Sequence, residues 1–168
     1  MSMNAGNGRR EAPDAFMADT EEKIRKYGWS VIGVAEVPPF AYTVGLADAV
    51  PGAPELVCVG LSYVTAGTVL NTIATRMREE GARAAPGRRW SEVLEGHDVS
   101  FRAVPAHCSR RYFAVAWARR GGEDFPRLQV IFPDRRGRFP HEAEPDSFIA
   151  AVQELDDEPP VFGQEEED

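Results

Sequence analysis

Cysteine, histidine and lysine are scarce in this chain, and each shortage closes off a chemistry. Cys58 and Cys108 are the two cysteines. They are too few for a disulfide framework, and neither belongs to a Cys-x-x-Cys pair. A reducing, cytoplasmic setting is therefore expected. The histidines are His97, His107 and His141, far apart and without a His-x-His or His-x-x-x-His pattern. No metal site is expected from them. There is no Gly-x-Ser-x-Gly elbow, and neither cysteine stands in a motif that marks a nucleophile. No apolar run approaches the roughly 18 residues that a membrane-spanning helix needs. The opening MSMNAGNGRREAPDAF has no apolar core segment, so a secretory signal is not expected. Lys23 and Lys26 are the only lysines, and arginine supplies the other basic residues. That bias reads as the composition of a GC-rich genome more than as a demand for guanidinium chemistry.

What is present fits one globular domain. The chain has 168 residues, 43% of them hydrophobic and 27% charged, enough for a sizeable core. Its net charge of −8 is uneven. Glu154, Asp156, Asp157, Glu158, Glu165, Glu166, Glu167 and Asp168 account for all of it. The segment 76–138 is arginine-rich and net basic. A solvated surface with a solubilising acidic tail is the plain reading. A sharper one has the tail folding back on an arginine-lined face and competing with an anionic ligand. The acidic total argues against a nucleic-acid partner.

Periodicity and turn chemistry give the elements. Asp19 and Glu22 have capping-box spacing, and the helix they open stops at Gly28. Segment 29–36 is β-branched and reads as a strand, with further strands at 41–46 and 55–61. Asp48, Pro51, Gly52 and Pro54 between the last two make a turn. Ser62 can cap a helix whose stripe is Ala66, Val69, Leu70, Ile73 and Met77, ending at Gly81. Strands follow at 98–104 and 128–132, with a helix at 147–155. Segment 112–120 is apolar on both faces and stays open between strand and helix, with Phe113 and Trp117 favouring helix. The expected fold is α+β, a mainly antiparallel sheet with two to four helices. The expected layout is a disordered lead over 1–17, one domain over 18–156 and a disordered acidic tail over 157–168.

The stretch Tyr42-Thr43-Val44-Gly45-Leu46, then Pro54-Glu55-Leu56 and Gly60-Leu61, raises a functional question. With Gly28-Trp29, Leu70-Asn71, Leu128-Gln129, Pro133-Asp134 and Phe139-Pro140 it resembles the bacterial family catalogued as domain of unknown function 4262, over roughly residues 20–142. The resemblance implies a small bacterial, mostly cytoplasmic domain and brings no reaction. His141 stands where the family leads one to expect tryptophan, so it draws no special role. The layout of strands and helix also resembles the opening of flavin-binding split barrels. That analogy of fold transfers no function by itself and leaves the cofactor open; carried over by position, a flavin-like one would lie near Tyr42, Thr43, Ser62 and Asn71, with Arg76 or Arg78 as phosphate partners.

Tyr42, Thr43, Glu55, Asn71 and Gln129 are more polar groups than a hairpin and a helix need, and they are the ligand-binding candidates. Arg76 and Arg78 are the anion-binding candidates. Each also has a plain structural alternative: a satisfied core tyrosine, a glutamate tying turn amides, an asparagine tying backbone. Elements adjacent in sequence are usually adjacent in space, so Tyr42, Glu55, Asn71 and Gln129 are expected in one neighbourhood. Two functions follow. One is a non-catalytic binding or regulatory module with a small-molecule or protein partner. The other is a small-molecule or flavin-like site where the 41–46 strand meets the Asn71 helix.

Overall fold

The computed structural model describes the backbone of residues 3–6 and 13–156 and the side chains of residues 14–156. The acidic stretch 157–168 lies outside the described residues. Among the described residues seven strands build one mixed sheet. In chain order they are β1 (Met3–Gly6), β2 (Ser30–Val34), β3 (Phe40–Val44), β4 (Glu55–Val59), β5 (Trp90–Leu94), β6 (His97–Ala103) and β7 (Arg127–Ile131). Their order in space is β1-β2-β3-β4-β7-β6-β5. Strands β2 to β4 form one antiparallel meander, and β5, β6 and β7 form another. A parallel β4–β7 pair joins the two, and β1 runs parallel to β2. The sheet is thus mainly antiparallel, as expected. Among the described residues β1 and β5 stand at its edges.

Six α-helices accompany it among the described residues: α1 (Pro13–Tyr27), α2 (Leu46–Ala49), α3 (Tyr63–Glu80), α4 (Ser109–Tyr112), α5 (Ala114–Arg120) and α6 (Phe148–Val152). This exceeds the two to four expected. Pieces as short as α2 and α4 cannot display a helical period. Segment 112–120 resolves as helix, broken at Phe113 between α4 and α5. The lead differs from expectation as well. It contributes β1, and α1 starts at Pro13 rather than at Asp19. Proline suits the first helical position because the amide it lacks has no intrahelical partner there. Asp14 follows in the first turn, where a negative charge meets the helix dipole.

Burial explains the apolar strands. Every residue of β3 and β4 is buried, because the sheet is covered on both faces. On one face lies α3. Its stripe of Ala66, Val69, Leu70, Ile73 and Met77 meets Val31, Ala41, Leu56, Cys58 and Val130. Ser62 caps it by accepting from the Thr65 amide at 3.2 Å, and Gly81 ends it in the left-handed region. On the other face Ile32, Tyr42, Val44 and Val57 meet Tyr112, Phe113 and Ala116 of α4–α5, with Ile24 of α1. Strand β5 is hard to read from sequence because only Trp90 in it is buried and Glu92 has a φ of 60°. Neither feature gives a clean alternation.

Candidate functional site

The Tyr-Thr-Val-Gly-Leu stretch is tied down by one carboxylate. Glu55, 1% exposed, starts β4 opposite the end of β3. The Thr43 hydroxyl donates to its Oε1 at 2.6 Å, while Thr43 Oγ1 accepts from the Leu56 amide at 2.9 Å. The amide of Gly45 donates to Glu55 Oε2 at 2.8 Å and that of Leu46 to Oε1 at 3.4 Å. Burial pushes the Glu55 carboxyl above its ordinary range, opposed by the bonds from Thr43, Gly45 and Leu46 and by the charge of Arg120. Gly45 has a φ of 81°, and a Cβ there would lie 2.9 Å from the Ile24 side chain, so glycine is required twice over. Glu55 and Thr43 therefore build the turn into α2.

Tyr42 caps a helix. It is 2% exposed, and its hydroxyl accepts from the Val115 amide at 3.1 Å, at the start of α5. Its ring meets Phe113 edge-on at 6.0 Å. Burial raises the pKa of the phenol, against the pull of the Val115 amide. Burial also pushes the Cys58 thiol up to about 12, so this cysteine is a core residue and no nucleophile at neutral pH.

Asn71 is elsewhere. It lies on α3, and its Oδ1 accepts from Trp29 Nε1 at 2.9 Å. Trp29 belongs to the core under α3, Tyr42 to the core under α4–α5. The single neighbourhood expected for Tyr42, Glu55, Asn71 and Gln129 is thus corrected. Adjacent elements do touch, but strand alternation turns Tyr42 to the face that α3 does not cover. The two arginine candidates hold α3 in place. Arg76 stacks on Trp90 at 4.7 Å and donates to the Ser91 carbonyl at 2.8 Å. Arg78 stacks on Trp29 at 4.7 Å and donates to the Tyr27 carbonyl at 3.0 Å.

Gln129 does share a face with Tyr42. Ile32, Tyr42, Val57, Gln129 and Arg102 stand in register on β2, β3, β4, β7 and β6. The two polar residues at the end of this row form a ring of hydrogen bonds. Arg102 Nε donates to Gln129 Oε1 at 2.7 Å, and Gln129 Nε2 donates to the Gln153 carbonyl at 2.7 Å. Arg102 Nη2 closes the ring on the same carbonyl at 2.6 Å. Gln153 in turn is buried and locked. Its Oε1 accepts from the Phe132 amide at 3.0 Å, and its Nε2 donates to the Phe132 carbonyl at 2.8 Å.

Beside this ring opens a cavity of about 370 Å³. Arg102, Gln129, Pro105, Pro140, His141, Ala150, Glu154 and Leu155 line it. A guanidinium carries five N–H donors, and the ring uses one on Nε and one on Nη2. Three remain on the Nη1–Nη2 end, the edge that grips a carboxylate or phosphate with two parallel bonds. Burial lowers the pKa of Arg102, opposed by the charge of Glu154, yet a guanidinium keeps its proton at neutral pH. The rings of Phe139 and His141 lie nearly parallel, 6.1 Å apart. Arg102, Gln153 and Glu154 carry no motif in the sequence. The one signal is alternation in 98–104, which sets Arg102 with Ser100 on the face opposite Val99 and Phe101. Among the described residues no three His, Cys, Asp or Glu side chains cluster to hold a metal ion. None of the described helices is long and apolar enough to cross a membrane.

A family model described as Domain of unknown function (DUF4262) matches residues 23–146. That span holds Tyr42, Glu55, Asn71, Arg102, Gln129 and His141, and it stops before Gln153 and Glu154. No curated protein and no solved structure matches the chain.

Proposed function

The chain belongs to the DUF4262 family, and from that premise we propose that it is a non-catalytic binding module whose cavity at Arg102 takes a small anionic ligand. One observation carries the reading. Arg102 is fixed by two neutral acceptors, Gln129 Oε1 and the Gln153 carbonyl, while its remaining donors have no carboxylate partner among the described residues and the residue lines a cavity. A cation held in place by neutral groups is preorganised for an anion, because the ordering cost is met within the fold. Among the described residues lining the cavity, His141 and Glu154 are the side chains other than Arg102 that titrate. The candidates for a flavin-like site divide between the two faces of the sheet, and nothing in their surroundings favours that alternative.

The test is a titration of the full chain with acetate and with inorganic phosphate, followed by NMR shifts of the cavity residues. Saturable shifts centred on Arg102 and Gln129 are expected, and Arg102→Met should weaken binding about tenfold or more. Equal binding by wild type and Arg102→Met, or no saturable shift with either anion, overturns the reading.

A further inference from the structure

The charge layout of the same cavity narrows its ligand. Arg102 projects from β6, and Glu154 comes from the segment just after α6. Both line the cavity, yet the guanidinium is bonded to Gln129 and Gln153 and forms no ion pair with Glu154 among the described residues. The two charges face a common space without closing it. A dianion entering there would meet one cation and one like charge. A molecule without an acceptor would leave the guanidinium edge unsatisfied, and a neutral acceptor would leave its charge uncompensated. A ligand carrying one negative and one positive group meets an opposite charge at each end. Pro105, Pro140 and Leu155 provide apolar wall for what lies between.

We propose that the cavity binds a small zwitterion of the free amino-acid type, its carboxylate on the open edge of Arg102 and its ammonium facing Glu154. This rests on the anion-binding reading above and adds the cationic half. Arg102, Gln129, Pro140 and His141 lie inside the span matched by the family model, whereas Glu154 and Leu155 lie beyond it. The Gln153 carbonyl that holds Arg102 and Gln129 also comes from the segment after α6, so that segment serves both ends of the cavity.

Three probes of one shape separate the halves: L-leucine, 4-methylpentanoate, which lacks the amine, and 3-methylbutylamine, which lacks the carboxylate. Each is titrated calorimetrically into the full chain. Leucine should bind about fivefold more tightly than 4-methylpentanoate, the scale of one partly exposed charge pair. The amine should bind weakest. Glu154→Gln should bring leucine and 4-methylpentanoate to within about twofold, with 4-methylpentanoate itself bound no less tightly. Glu154 is exposed, so this variant keeps the fold. Equal affinities for leucine and 4-methylpentanoate in the wild type overturn the zwitterion and leave the anion grip standing. Failure of both carboxylates to bind overturns the two together.

Discussion

Glu55 shows how a polar residue that looks like a site can be a joint. Its carboxylate holds three donors from the turn after β3. Glu55→Ala should leave the Thr43 hydroxyl and the Gly45 amide buried without this partner, at a cost of about 3 kcal/mol in urea unfolding. The pH dependence has a definite sign. The folded pKa lies above the ordinary value of 4.5, so between the two the fold holds a proton that the unfolded chain has lost. Stability should fall as pH rises from 4.5 through the folded value, then level off. A urea-stability profile of Glu55→Gln, which cannot titrate, should lack that step. A step of the same size in the variant would assign it to another group. Tyr42→Phe is a smaller change. It removes one acceptor from the start of α5 and should cost about 1 kcal/mol, read as a shift of the urea midpoint with unchanged slope. That Tyr42 and Glu55 are polar in an apolar run is plain from sequence. What satisfies them was legible only for Glu55, whose partners are about ten residues away in the same hairpin. Val115 lies 73 residues from Tyr42, and no local pattern announces a contact of that range.

Among the described helices, the one with no buried residue completes the cavity. No residue of α6 is buried, and Phe148 at its start is 79% exposed. What fastens the segment is Gln153, with its side chain on the Phe132 backbone and its carbonyl on Arg102 and Gln129. Two further contacts help. The Asp156 amide donates to the Tyr112 hydroxyl at 2.7 Å, and Val152 lies against Gly60, where a Cβ would come within 3.1 Å of it. Segments held by few apolar contacts open at low free energy. Gln153→Ala should therefore raise amide hydrogen exchange over 148–156 well before the rest of the fold loosens. Exchange that rises equally in α3 would mean that Gln153 supports the whole core. The helical spacing of this segment was legible in Phe148, Ile149, Val152 and Leu155. That spacing says nothing of Gln153, because its partners are backbone atoms of β7, and backbone atoms leave no trace in the residue pattern.

Across the whole molecule the class of fold was readable and the strand order was not. The apolar runs of β2, β3, β4 and β7 stand out because the sheet is covered on both faces. The place of β7 between β4 and β6 depends on a parallel crossover that spans α3, β5, β6 and α4–α5. Such pairings are set by the packing of the whole chain and not by any segment of it. The arginine-rich middle shows the same thing in its charges. Much of it is spent internally, on the faces of Trp29, Trp90, Phe139 and Phe125. Arg119 has the widest reach. It donates to both carboxylate oxygens of Glu21 on α1, at 2.7 and 3.3 Å, and to Asp48 on α2 at 2.8 Å. One guanidinium thus fastens α5 to two helices remote in sequence. Its hydrogen bonds to Asp48 and Glu21 raise its pKa against the effect of burial. An isolated surface pair contributes about 0 to 1 kcal/mol, but a shared, bidentate arrangement sits at the upper end for each partner. Arg119→Met, which keeps the apolar stem, should cost about 1 to 2 kcal/mol at low salt. Salt with a Debye length of about 3 Å at 1 M should shrink that difference, while the cost of Tyr42→Phe stays the same. Urea midpoints of both variants at low and high salt measure the contrast. If the cost of Arg119→Met does not fall with salt, its packing against α1 and α2 holds the helices together, and the charges do not.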